Sequence, residues 1–358
     1  MDNNLNSQQQ AQNPSFQPPY EQPLYTQQPY VQQPYVQQPY YTQPVPQGAP
    51  QQPTPGPVYQ RIDRKVIRQL RHKSEIPLYI FMIVLNVLII VGVVLYFFAS
   101  DEENQKYYDT VAASVTESAD VSSDKLQKEL DNMPEALEYL VMIIFTAVAI
   151  PFIVSYAYAQ YRSMSVRITE KTYPEIYAIV EEYAQKLGMK RVPKVYMVQG
   201  DGMLNAFSAF IPFRQYIEVY ADLLEVAYRE YHDMDTIRFI IAHEMSHIYF
   251  KHATMHYYYN IMFSQLIPIL GPTFSRAREY SCDRLAQLLS GSDGVEAILA
   301  LVAGKHLYKQ VDKIDYVQHA LSVKGLFVFC YNLVSSHPVM TKRVLALADP
   351  LRRSGKLF

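Results

Sequence analysis

Residues 233–247 read DMDTIRFIIAHEMSH, and their reading decides the fold. Asp233 or Asp235 suits the cap of a helix that runs through Ile237, Phe239, Ile240 and Ile241 into His243-Glu-Met-Ser-His247. Four residues apart on a helix, His243 and His247 leave the same face one turn apart, within reach of one Zn²⁺. Glu244 between them is placed to take a proton from a metal-bound water, whose pKa zinc lowers from near 16 to about 7. The pattern needs a third ligand before it counts as a site.

Two places offer one. The metzincin arrangement requires Gly three residues after the second His and another His three further on, but Phe250 and Ala253 stand there. His252 lies one residue short, and on a continuing helix its angle turns away from His247, so a surface or capping role is expected for it. The better candidate is the acidic pair in RAREYSCDRLA (276–286). Glu279 and Asp283 share a helix face at i, i+4, which suits one carboxylate on the metal and the other hydrogen-bonded to a ligand imidazole. The plainer alternative is a solvated charged helix, its acids paired with Arg276, Arg278 and Arg284.

Around this centre, residues 160–358 read as an α+β domain, mainly helical with a small β-sheet. Tyr173–Leu187 has helical periodicity and Gly188 closes it. Lys194–Gln199 alternates like a strand, and 205–210 and 216–220 form a strand pair joined through Pro212.

The N-terminal half has a different chemistry. Across 358 residues only 18% are charged, with a formal net charge of −2. That total averages unlike segments. Residues 1–60 carry no Lys or Arg but 17 Gln and 13 of the 23 Pro, and QQPYV-type repeats place Tyr30, Tyr35 and Tyr40 at a five-residue period. Such a tail cannot bury enough apolar surface to fold, so it is expected to be disordered. Its Tyr/Pro tract suits partner docking or phosphorylation, against the simpler reading of a passive solvated tail. Residues 61–76 are a basic juxtamembrane segment of net +4, and the loop at 100–138 is acidic, net −8.

Two windows, 77–99 and 139–159, carry no charge at all. About 20 apolar residues suffice to cross a bilayer, so both are expected to be transmembrane helices, the second kinked at Pro151. The basic flank before the first, and Arg162 and Arg167 after the second, belong on the cytoplasmic side. A two-helix hairpin follows, in the cell membrane, with both termini and the 160–358 domain in the cytosol and the acidic loop outside. A soluble single-domain reading does not survive this. Cys282 and Cys330 form no CxxC pair, which excludes a disulfide framework and a thiolate zinc site. No clustered basic face argues for nucleic acid as a partner.

HEMSH, followed by EYSCD and then SHPVMTKR, resembles the HtpX-type membrane metallopeptidases, gluzincin relatives of the CAAX prenyl proteases. The resemblance covers about residues 165–350. It implies a zincin-type domain with one Zn²⁺ per chain held by His243, His247 and Glu279, with Glu244 as general base and Asp283 orienting His243. It also aligns Asn205, Ala206 and Phe207 with an edge strand that holds substrate backbone. His337 and Arg343 match late His-Pro and Arg positions that face the cleft and help stabilise the oxyanion. Two departures stand out. The family carries further membrane helices between the zinc helix and the Glu helix, where Ile261–Phe274 is too short to cross and reads as a loop or amphipathic piece at the membrane interface. Cys282 occupies a spot usually held by a small residue and reads as a buried small hydrophobe.

The expected function is therefore a membrane-anchored zinc endopeptidase acting on protein or peptide substrates, with membrane lipid as its other partner and quality control as its role. The rival is a non-catalytic membrane scaffold that keeps a zinc-stabilised fold.

Overall fold

The computed structural model describes residues 57–117, 123–229, 231–349 and 355–358. The Gln/Pro/Tyr repeats therefore lie outside the described residues. Residues 57–63 have no regular secondary structure, and helix α1 (Arg64–Leu70) follows, its first turn capped by Asp63 accepting from the Lys65 N–H. This basic segment is more than a linker to the membrane. Ile67 is buried in the main core, and the Ile62 N–H donates to the Lys186 carbonyl.

Helices α2 (Glu75–Ala99) and α5 (Glu135–Ser163) are both long and apolar enough to cross a membrane, and they pack against each other. At 1.5 Å per residue, the 25 residues of α2 span about 37 Å, more than a hydrocarbon core of about 30 Å. The acidic loop between them is largely helical, as α3 (Asp101–Glu117) and α4 (Ser123–Asp131). Asn86, the one amide within the apolar run of α2, is buried for a reason. Its Nδ2 donates to the Tyr259 carbonyl and its Oδ1 accepts from the Phe263 and Ser264 N–H groups. These bonds fasten the segment after α9 (Met255–Ile261) to the side of α2. Tyr79 of α2 stacks on Tyr257 and Phe274 at the same seam. The stretch 261–274 is thus a short 3₁₀ turn and a helix start laid along α2, with Leu266 exposed.

Beyond α5 come β1 (Val166–Ile168), α6 (Pro174–Lys186), β2 (Lys194–Val198), β3 (Ala206–Ile211) and β4 (Arg214–Tyr220). The strands form a mixed sheet of order β1-β2-β4-β3, in which only β2 and β4 run parallel. Side chains alternate across the sheet. Ile217 and Val219 of β4 enter the core, while Tyr216 packs on Tyr158 of α5. The β3–β4 hairpin turns through Pro212 and Phe213, leaving β3 at the sheet edge.

The helices α7 (Ala221–Tyr228), α8 (Met234–Tyr249), α10 (Leu270–Ser290), α11 (Val295–Ala303), α12 (Lys313–Ser322), α13 (Leu326–Val334) and α14 (Met340–Ala348) complete the chain. Helix α8 is the centre of the core, packed by α6, α7, α10, α11 and the sheet. Its Ile237, Phe239, Ile241, Ala242, Met245 and Ile248 are buried in the same core cluster as Leu285, Ala286 and Leu289 of α10. Each fully buried side chain of this size contributes about 1.5–3 kcal/mol, enough to fix where α8 and α10 sit against each other. Gly294, in the turn from α10 to α11, has φ +77, and a Cβ there would lie 2.1 Å from the Phe239 ring. Only glycine lets that turn close over α8.

Candidate metal centre

Helix α8 is started by Asp233, which accepts from the Thr236 N–H at 3.0 Å, and so sets the phase of everything downstream. In that phase His243 and His247 face α10, which brings Glu279 to them. His243 Nε2 and His247 Nε2 are 3.2 Å apart, and each lies 3.4 Å from a carboxylate oxygen of Glu279. A four-coordinate zinc with ligand bonds of about 2.0–2.2 Å separates its ligand atoms by about 3.3–3.6 Å, so these donors fit the ion. Two imidazoles and one carboxylate are also a donor set that zinc favours, leaving one position open.

The charges around the site suit a cation. Burial alone would lower the His243 pKa, but the Asp283 and Glu279 carboxylates outweigh it and drive the imidazole up to about 10. Asp283 Oδ1 lies 2.9 Å from His243 Nδ1, close enough to orient the ring, although no aligned hydrogen bond forms between them. Burial works to raise the Asp283 carboxyl, yet Arg343 and His243 beside it hold it below the usual range. Arg343 binds Asp283 through two bonds, Nε to Oδ2 at 2.9 Å and Nη2 to Oδ1 at 2.6 Å.

That arrangement corrects one expectation. Arg343 is buried against Asp283 and is absent from the cleft wall where the resemblance puts it, so its guanidinium faces that carboxylate. A buried guanidinium needs a paired acid, and Asp283 is the acid that satisfies it. His337 does reach the cleft: it is largely exposed, with Nδ1 3.1 Å from Glu279 Oε2.

His252 is the second correction. It is 8% exposed, and its Nδ1 lies 3.1 Å from His247 Nδ1. The helical angle that turned it away holds only if the helix continues, and α8 ends at Tyr249. Lys251 adopts φ +65, and the His252 N–H returns to the His247 carbonyl. No Gly or Asn at 251 announces this left-handed turn, so local sequence hides it. His247, His252 and Cys282 form a second group within metal reach. Cys282 is fully buried, however, and burial pushes its thiol well above the ordinary range, which disfavours the thiolate a metal needs.

The centre opens into a cleft of about 480 Å³. Glu244, His337, β3 residues Ala206–Phe210, and Val154, Ala157 and Tyr161 of α5 line it together. Asn205 precedes β3, and its carbonyl accepts from the Tyr220 N–H, so the strand facing the cleft begins at Ala206 and extends past Phe207 to Phe210. A larger cavity of about 920 Å³ lies between α5 and the hairpin turn at Pro212, and none of the candidate ligands lines it.

Residues 170–271 match the family model described as Peptidase family M48. The match supports a metallopeptidase of that family. It runs from the approach to α6 through the start of α10, so it includes His243, Glu244 and His247, while Glu279, Asp283, His337 and Arg343 all lie beyond it. M48 metallopeptidases are typically zinc-dependent, in keeping with the donor set described. No curated protein and no solved structure gives a significant match to the chain.

Proposed function

We propose that this chain is a membrane-anchored, zinc-dependent endopeptidase of the HtpX type, whose catalytic domain lies in the cytosol and cleaves membrane or misfolded proteins in quality control. One observation carries the reading: two imidazole nitrogens 3.2 Å apart, each 3.4 Å from a different oxygen of the Glu279 carboxylate, sit beside Glu244 in a cleft lined by an edge strand and a membrane-length helix.

His243, His247 and Glu279 would hold the zinc, which when bound lowers the pKa of a water and polarises the scissile carbonyl. Glu244 takes the proton from the attacking water and passes it to the leaving amine. Asp283, neutralised by Arg343, keeps the His243 ring in one orientation. An extended substrate adds alongside β3 by backbone hydrogen bonds, with Ala206 and Phe207 at the start of the track. His337, on the cleft rim, is placed to donate to the oxygen that gains charge. Because α5 also lines the cleft, segments leaving the bilayer surface are the substrates nearest the site.

The test uses the full chain in detergent. Wild type should hold one zinc and cleave an unfolded protein in a chelator-sensitive way. Glu244→Ala should lose cleavage by at least a hundredfold while keeping the zinc. Equal cleavage in that variant would overturn the mechanism. Zinc uptake with no cleavage in wild type would favour a scaffold.

A further inference from the structure

Each proposed zinc imidazole has a second ring nitrogen to satisfy, and the chain treats the two differently. His243 Nδ1 faces a carboxylate directly, Asp283 at 2.9 Å. His247 Nδ1 faces another imidazole, His252 Nδ1 at 3.1 Å. The far nitrogen of that ring, His252 Nε2, lies 3.0 Å from Glu75 Oε1. Glu75 is the first residue of α2, and it is 1% exposed. Arg71 Nη1, at 2.5 Å, and the Ser281 hydroxyl donate to the same carboxylate.

The proton positions along this series follow from what each group can do. An imidazole that gives Nε2 to a metal keeps its proton on Nδ1. His247 Nδ1 therefore donates, and His252 Nδ1 must accept. The remaining proton of His252 then sits on Nε2, where it donates to Glu75, a group that only accepts when ionised. The opposite tautomer of His252 would set two N–H groups against each other and leave Glu75 facing a lone pair. Among neutral forms, one arrangement satisfies both contacts.

We infer that His252 and Glu75 are positioning residues for His247, a hydrogen-bonded series that ties this metal ligand to the first turn of the membrane helix α2. The inference rests on the zinc reading above. It gives the two ligand histidines equivalent support, a carboxylate reached directly for His243 and through one imidazole for His247. It also gives a reason for burying an acid at the membrane end of α2: the seating of that turn sets how firmly the His247 ring is held.

The experiment measures zinc affinity of the full chain in detergent by chelator competition, with zinc-free melting recorded in parallel. His252→Ala should bind zinc ten- to hundredfold more weakly while melting like wild type without metal. Glu75→Ala should move affinity in the same direction, and the double variant should lose less than the two single losses combined. His252→Gln, whose carbonyl can accept from His247 and whose amide can donate to Glu75, should recover most of the loss. Unchanged zinc affinity in His252→Ala overturns the inference. Should His252→Ala not fold, histidine-selective ¹⁵N spectra of zinc-loaded wild type decide instead: a proton on His252 Nε2 supports the series, and one on Nδ1 overturns it. A second bound zinc lost in Cys282→Ser also overturns it, since that ion would claim His252 for itself. If wild type takes up no zinc, the metal centre itself falls; an active, zinc-loaded wild type with an unaffected His252→Ala removes this inference alone.

Discussion

Glu218 is fully buried on the face of the sheet that α5 covers, between Tyr216 on its own strand and Phe207 on the next. Neither carboxylate oxygen reaches hydrogen-bond geometry with any neighbour, Tyr216 included. Burial therefore pushes its pKa up to about 7, against a weaker opposing effect of Tyr216. The sign follows from linkage. A raised folded-state pKa means stability is fully present below the unfolded value of 4.5 and is lost as pH rises toward about 7. Glu218→Gln should remove that loss, on the order of 1–3 kcal/mol at pH 8. Melting curves of zinc-loaded wild type and variant should converge near pH 4.5 and separate by pH 8; parallel curves would contradict the account. His252 teaches a related lesson at this scale. Its identity as a histidine was visible, but its use depended on one left-handed residue, Lys251, that no sequence rule marks.

Helix α2 serves as more than an anchor, because Asn86 on it terminates the backbone of the segment between α9 and α10. Replacing Asn86 with Leu leaves two buried N–H groups and a carbonyl without this partner, at about 1–3 kcal/mol for each left unsatisfied. The expected result is a lower melting temperature and new cleavage between residues 262 and 270 on limited proteolysis. Resistance equal to wild type would show that the segment is held by apolar packing alone. The helical periodicity of α6 and the strands at β2 and β4 were legible, since each reports local burial. β1 was not: with only three residues, it gains strand geometry from pairing with β2. The strand expected at 205–210 forms as Ala206–Ile211, its ends set by pairing with β4 from Val219 to Arg214.

At the scale of the whole molecule, the proposed orientation places the site in the cytosol. Of the two cysteines, Cys282 is buried and Cys330 exposed, so Cys330 is a natural reporter. With the domain in the cytosol, a membrane-impermeant maleimide should label Cys330 in inverted vesicles and leave it unmodified in right-side-out vesicles. The reverse pattern would invert the orientation read from the basic flanks. By itself the sequence determined the two charge-free windows within α2 and α5, the helical phase of HEMSH and the residue types of the donor set, because solvation and periodicity act over a few neighbouring residues. Only the tertiary structure decided which acid meets which base. Arg343 lies 60 positions from Asp283 and Glu75 lies 177 from His252. In a low-dielectric interior a charge must find a partner, and packing α14 on α10 and α2 beside α9 selects which one it meets.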